Sequence, residues 1–221
     1  MLKYPLSTLL YLAKINIKDT IQDALKLHNN IDVRLTITIK DKNGKIIKIH
    51  KQKSHSFVAN FLYLLGTFLS QTQYNWTDVS GNVEQYYTGT VQLGNILAVN
   101  GGNPGQSGIV IGTGTATPTP GDYKLGNPIA NGTSSGQMVY NNISFSKPTV
   151  SGNTTSMVIT QTFQNQSGAS ITVSEVGIIA QTDNNSNKLD YVLIIHDLLS
   201  SPLTVANLSI LGITYTISIT T

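Results

Sequence analysis

Leu208-Ser-Ile-Leu-Gly-Ile-Thr-Tyr-Thr-Ile-Ser-Ile-Thr220 closes the chain and decides its fold class. Ile213, Tyr215, Ile217 and Ile219 alternate with Thr214, Thr216, Ser218 and Thr220, so apolar and hydroxyl side chains fall on opposite faces of a strand. Upstream, residues 137–145, 157–164, 171–181 and 189–197 also read as strands. Ser151-Gly-Asn153, Asn165-Gln-Ser-Gly168 and Asp183-Asn-Asn-Ser-Asn187 separate them as turns. Strands of this length at this spacing predict a mainly β protein, an antiparallel β-sandwich of jelly-roll-like form.

The same period returns near the start. Val33, Leu35, Ile37 and Ile39 alternate with Arg34, Thr36, Thr38 and Lys40. Asn43-Gly44 is a strong hairpin signal, and Ile46, Ile47 and Ile49 form the return strand among Lys45, Lys48 and Lys51. Next, Phe57, Val58, Phe61, Leu62, Leu64, Leu65, Phe68 and Leu69 cover more than half of a helix near 55–71, capped by Ser54 or Ser56. A helix that apolar needs a domain or a neighbouring subunit to bury it. Leu6, Leu9, Leu10, Ala13, Ile17, Ile21, Ala24 and Leu25 predict an amphipathic helix over 6–28. Residues 73–135 are loop-rich, with short strands expected near 86–93, 96–99 and 109–111. The expected division is a helical arm over 1–30 and a jelly-roll-like domain over 31–221.

Charge divides the chain more sharply than structure does. Residues 1–53 hold eleven of the fourteen cations and four of the eleven acids, a net +7, whereas the remainder carries −4. Charged residues make up 11% of the chain, about half the usual share, and Ser, Thr, Asn and Gln take their place. Such a surface suits packing against neighbours or carrying glycans. Cysteine is absent, which excludes disulfide scaffolds, thiol catalysis and Cys-based zinc sites. No apolar run reaches the ~18–20 residues of a membrane-spanning helix. The first thirteen residues lack a good cleavage site, so no cleaved signal peptide is expected.

Motifs of chemistry are sparse. Gly112-Thr-Gly-Thr lacks the Lys of a phosphate loop and runs into Thr117-Pro-Thr-Pro-Gly121, so it reads as a strand-exit turn. His28, His50, His55 and His196 show no metal-ligand spacing and read as surface or capping residues; His196-Asp197 falls at an expected strand end. Glu84 and Glu175 are the only glutamates, and Glu175 is expected to pair with a lysine or line a subunit contact. No Gly-x-Ser-x-Gly elbow occurs. No catalytic, cofactor-binding or metal-ligating residue is therefore assigned.

The readable surfaces are for contact. Phe57, Phe61, Leu65 and Phe68 on the apolar helix, with Arg34 and Lys48 on the basic hairpin, are the candidate docking residues. The hairpin stripe could also meet the phosphates of packaged DNA without reading sequence. Sequons at Asn75, Asn131, Asn142, Asn153, Asn165, Asn184 and Asn207 are candidate glycosylation sites, all in the charge-poor part.

Three stretches carry a resemblance. They are Asp41-Lys-Asn-Gly-Lys with Lys53-Ser-His-Ser-Phe-Val-Ala-Asn-Phe-Leu62; Ile109-Val-Ile-Gly-Thr-Gly-Thr-Ala-Thr-Pro-Thr-Pro-Gly-Asp-Tyr-Lys-Leu-Gly-Asn-Pro-Ile129; and Thr162 to Ile178 with His196-Asp-Leu-Leu-Ser-Ser-Pro-Leu-Thr-Val205 and the closing strand. The chain resembles virion structural proteins of archaeal viruses and phages. That resemblance implies a β-sandwich subunit of a turret, tail nozzle, adaptor or capsid vertex, located in the virion. It implies a homo-oligomer, as a ring or vertex cluster, in contact with other virion proteins. The expected role is non-enzymatic assembly. The alternatives are a receptor- or glycan-binding spike module using Tyr74, Trp76, Tyr86 and Tyr87 as aromatic platforms, and a cellular surface or pilus protein.

Overall fold

The alternation at the C-terminus becomes a register. The computed structural model describes residues 30–54, 57–70, 74–85, 106–183 and 189–221. The elements are β1 (Asn30–Lys40), β2 (Ile46–Lys53), α1 (Ala59–Ser70), β3 (Asn75–Thr77), β4 (Val83–Gln85), β5 (Gly108–Gly112), β6 (Val139–Tyr140), β7 (Ser144–Phe145), β8 (Thr149–Ser151), β9 (Thr154–Gln164), β10 (Ile171–Asp183), β11 (Leu189–Val205) and β12 (Ile210–Thr220). The arm helix expected over 6–28 and the strands expected near 86–93 and 96–99 lie outside the described residues.

The described protein is mainly β, and its strand pairings are antiparallel. The larger sheet runs β2-β1-β12-β9, with the short β6, β7 and β8 each pairing along the far side of β9. A second sheet runs β11-β10-β5, and β3 and β4 form a small ribbon. In the larger sheet Leu35 faces Tyr215, which faces Ile159; Ile39 faces Leu211, which faces Phe163. Cross-strand partners share a face, so these residues form one buried layer. It merges with Ile109, Ile111, Val176, Ile178 and Ile195 of the second sheet in a single core. Each fully buried Leu or Ile there contributes about 1.5–3 kcal/mol over exposure. The opposite face of the larger sheet carries half-buried Thr36, Thr38, Thr160, Thr162, Thr214 and Thr216.

Four differences from the sequence reading have physical reasons. The strand expected over 137–145 is two short pieces, β6 and β7, each paired separately to β9. β12 starts at Ile210 rather than Leu208, because Leu208 takes a left-handed φ of 66° in the preceding turn. β11 does not end at Asp197 but runs to Val205. The register jumps from Glu175↔Leu198 to Val173↔Leu203, so a bulge absorbs Pro202 and leaves His196 and Asp197 inside the strand. Ser54 does not cap α1; its hydroxyl donates to Asp197 Oδ2 at 2.7 Å. The hairpin turn does form as expected. The Gly44 N–H donates to the Asp41 carbonyl at 3.0 Å, and Gly44 takes φ 82°.

Candidate functional site

Two regions concentrate chemistry. The first is buried on the face of β10 and β11 turned away from the larger sheet. In the antiparallel register Gly177 sits opposite His196 and Glu175 sits opposite Gly112. Glu175 and His196 are 1% and 3% exposed. A charge in that position must be paired, and here it is. Glu175 Oε2 accepts the His196 Nε2–H at 2.9 Å and the Gly126 N–H at 2.9 Å. Glu175 Oε1 accepts the N–H groups of Gly114 at 2.8 Å and Asn127 at 2.7 Å. The second ring nitrogen, His196 Nδ1, donates to Asp122 Oδ2 at 2.7 Å. Asp122 also accepts from the Thr119 backbone and hydroxyl.

Glycine is required around that carboxylate. A Cβ on Gly112 would lie 2.3 Å from Glu175 Oε1, and one on Gly114 would lie 2.5 Å from it. The Gly112-Thr-Gly turn therefore does hold an anion in its backbone, but the anion is the protein's own Glu175.

Electrostatics follow the geometry. Burial opposes ionisation of Glu175, but the bonds from His196 and from the Asn127, Gly126 and Gly114 amides outweigh it and hold the carboxyl at about 2. Burial likewise opposes charge on His196, yet its bonds to Glu175 and Asp122 raise its pKa. Asp122 is lowered: burial works against this, and Thr119 and His196 prevail. The imidazolium is thus clamped between two carboxylates. With both ring nitrogens donating, it offers no lone pair to a metal or a substrate proton. The cluster ties residues 113–127 onto the second sheet.

A second polar cluster lies between the sheets. Asp197 Oδ2 accepts from Ser54 at 2.7 Å and from the Tyr215 hydroxyl at 2.9 Å. Burial, then the charge of Asp197, push the Tyr215 pKa well above its ordinary value. Consecutive residues His196 and Asp197 thus serve opposite faces of one strand.

The other region is the outer edge of the larger sheet. Both edges of the second sheet are sealed. Along β5, the Ile109 N–H donates to Gln161 Oε1 at 2.8 Å, the Ile111 N–H to the Tyr140 hydroxyl at 3.3 Å and the Thr113 N–H to the Asn127 carbonyl at 2.8 Å. Along β11, the Val58 and Val79 N–H groups reach the Ile194 and Tyr191 carbonyls, and Gln52 bonds Leu198 and Ser200. The far side of β9 is covered by β6, β7 and β8. β2 is different. Among the described residues no strand pairs with its outer side. Ile46, Ile47 and Ile49 are 49%, 57% and 56% exposed. The hairpin's ion pairs join Arg34 and Lys53 to Asp32, at 2.6 and 3.5 Å, and no carboxylate among the described residues pairs with Lys45, Lys48 or Lys51.

The expected docking residues divide between two surfaces. Arg34 and Lys48 are exposed on the hairpin. Phe57 is exposed and stacks on half-buried Phe61 at a centroid distance of 4.2 Å, and Leu65 is half-buried in α1. The outward side of α1 also carries exposed Leu62 and Tyr63. Phe68 lies in α1, its side chain outside the described residues. Glu175 pairs with a histidine and backbone amides, not with a lysine, and His196 is buried rather than superficial. Trp76 is no platform: it is 1% exposed, and its indole N–H donates to Asp190 at 2.8 Å. Tyr74 is exposed, whereas Tyr86, Tyr87, His28 and His55 lie outside the described residues.

Among the sequons, Asn75, Asn131, Asn142, Asn153 and Asn207 are exposed and Asn184 lies outside the described residues. Asn165 is fully buried, its side-chain amide donating to the Ala169 and Val205 carbonyls, so it cannot accept a glycan in the folded chain.

What the sequence reading missed was the convergence of Asp122, Glu175 and His196. One signal was present: a lone acid in the apolar run Val173-Ser-Glu-Val-Gly177, opposite the only Gly-x-Gly turn leaving a strand. No protein-family model, curated protein or solved structure matches the chain.

Proposed function

We propose that this protein is a non-enzymatic assembly subunit that docks through residues 46–63. One observation carries the reading. Among the described residues, six of the thirteen exposed large hydrophobics (Ile46, Ile47, Ile49, Phe57, Leu62 and Tyr63) fall in that stretch, beside most of the cations. Clustered exposed apolar side chains mark contact surfaces. Glu175, Asp190, Asp197 and His196, all buried, are by contrast engaged with one another, with backbone amides or with the Ser54, Trp76 and Tyr215 side chains, which is how a rigid subunit fastens its loops. The finer architecture in this reading is a jelly-roll-like sandwich with a helical arm over 1–30. The setting, a turret, tail nozzle, adaptor or vertex of a virion, rests on the resemblance of the three stretches quoted above. It brings homo-oligomerisation and contact with other virion proteins.

The test is the native mass of the full chain by light scattering across a concentration series. The wild-type chain is expected to self-associate. Leu62→Glu with Tyr63→Glu, which charges the outward side of α1, is expected to return it to monomer with unchanged circular dichroism. A wild-type chain that stays monomeric throughout the series overturns the reading.

A further inference from the structure

The open edge of β2 has a direction and a chemistry. In the β1–β2 register Val33 lies opposite Ser54, and the Ser54 N–H donates to the Val33 carbonyl at 2.8 Å. Along an antiparallel strand the backbone groups point alternately toward and away from the partner. Ser54, Gln52, His50 and Lys48 therefore turn their N–H groups toward β1. Ile49, Lys51 and Lys53 turn theirs outward, with their carbonyls. Among the described residues these outward groups meet no backbone partner. A strand edge of this kind is a template for strand addition.

Charge then selects what can add. Residues 30–53 carry seven cations and two acids. A second copy of β2 lying antiparallel would set Lys45, Lys48 and Lys51 against their own kind, and like charges facing each other are destabilising. Lysines on an edge ordinarily repel any incoming strand; against an acidic strand they attract instead. Nucleic acid would satisfy the charge, but it offers neither the alternating N–H and C=O groups of a strand nor a partner for Ile46, Ile47 and Ile49.

We propose that β2 accepts an extended acidic segment of another protein chain, paired antiparallel or parallel along Ile49, Lys51 and Lys53, with its carboxylates on the face that carries Lys51 and Lys53, opposite Thr36 and Arg34 of β1. This rests on the docking reading above. It fails separately from it, since the light-scattering mass tests self-association and the experiment here does not.

The probe is a fluorescently labelled, end-blocked peptide alternating Glu and Val, titrated with the full chain at neutral pH and followed by anisotropy. Two control peptides carry Lys in place of Glu, or N-methyl groups on alternate amides. The Glu–Val peptide is expected to bind and the Lys–Val peptide not to. N-methylation, which blocks backbone pairing but keeps charge, should weaken binding about tenfold or more. Lys51→Pro removes an outward N–H at a solvent-facing edge position, where proline is tolerated, and should weaken it comparably. Lys48→Glu with Lys51→Glu should reverse the preference to the Lys–Val peptide. Three outcomes would overturn the proposal: no binding of the Glu–Val peptide, equal binding of its N-methylated form, or duplex DNA competing it off while Lys51→Pro changes nothing.

Discussion

The two sheets treat their edges and charges in opposite ways. The second sheet closes both edges with named groups (Gln161 and Tyr140 along β5, Val58, Val79 and Gln52 along β11) and neutralises Glu175 inside the protein. Among the described residues the larger sheet ends in β2, where isoleucines and lysines stand in water and no strand follows. A buried polar group costs free energy until it is bonded, whereas an exposed one is already solvated. Substitutions on the sealed side should therefore register as stability, and those on the open side as binding.

The sharpest way to break that contrast is Glu175→Ala. It takes the buried partner from His196, leaving its imidazolium only Asp122, and leaves the Gly114, Gly126 and Asn127 amides without their acceptor. Removing one partner of a buried ion pair costs about 3–5 kcal/mol. For a chain of this size that lowers Tm by roughly 10 °C, measurable by calorimetry. Limited proteolysis should cut within 113–128 faster than in the wild-type chain. A wild-type Tm with unchanged proteolysis would show that the clamp fastens nothing.

Acid and base should loosen the same clamp from opposite sides. Glu175 is depressed from 4.5 to about 2, so its contribution is present above pH 4.5 and is lost as pH falls toward 2. His196 is raised above 6.5, so its contribution is complete below pH 6.5 and is lost as pH climbs through the raised value. Once neutral, the ring keeps a single N–H and can serve only one of its two carboxylates. Tm plotted against pH should therefore be highest between about 4.5 and 6.5, and Glu175→Ala should flatten the acid limb. An unchanged acid limb in that variant would assign acid unfolding to other carboxylates.

The same contrast explains what could be read from sequence. Strand existence was legible wherever one face is buried and the other wet, as in Val33–Ile39 and Ile213–Ile219, because alternation encodes the two faces directly. The end of β11 is illegible because Ser200-Ser-Pro202 signals a break, and a bulge that absorbs a proline leaves no trace in the hydrophobic period. The clamp was illegible for a different reason. Asp122, Glu175 and His196 come from three segments brought together by register, and pairing between distant strands is not a local property. Trp76 illustrates the opposite error. Set in a loop-rich stretch it reads as an exposed platform, but Asp190, 114 residues away, takes its indole N–H and buries it. The open edge was half legible. The lysines are plain in the sequence, whereas the lack of a strand beside β2 among the described residues is a property of sheet order, which no local pattern encodes.

The smallest effect on stability should come from the open edge itself. Lys48→Glu with Lys51→Glu changes the charge of β2 by four units, a larger electrostatic change than Glu175→Ala makes. Yet neither lysine has a carboxylate partner among the described residues, and both side chains stand in solvent. Exposed substitutions away from caps and buried networks usually move stability by no more than about 0.5 kcal/mol. Chemical denaturation should therefore give a midpoint and slope close to wild type, while the peptide preference inverts. A loss of more than about 1 kcal/mol would mean that these cations hold the fold, placing an unseen acidic contact on β2 and collapsing the distinction between the sealed and open edges.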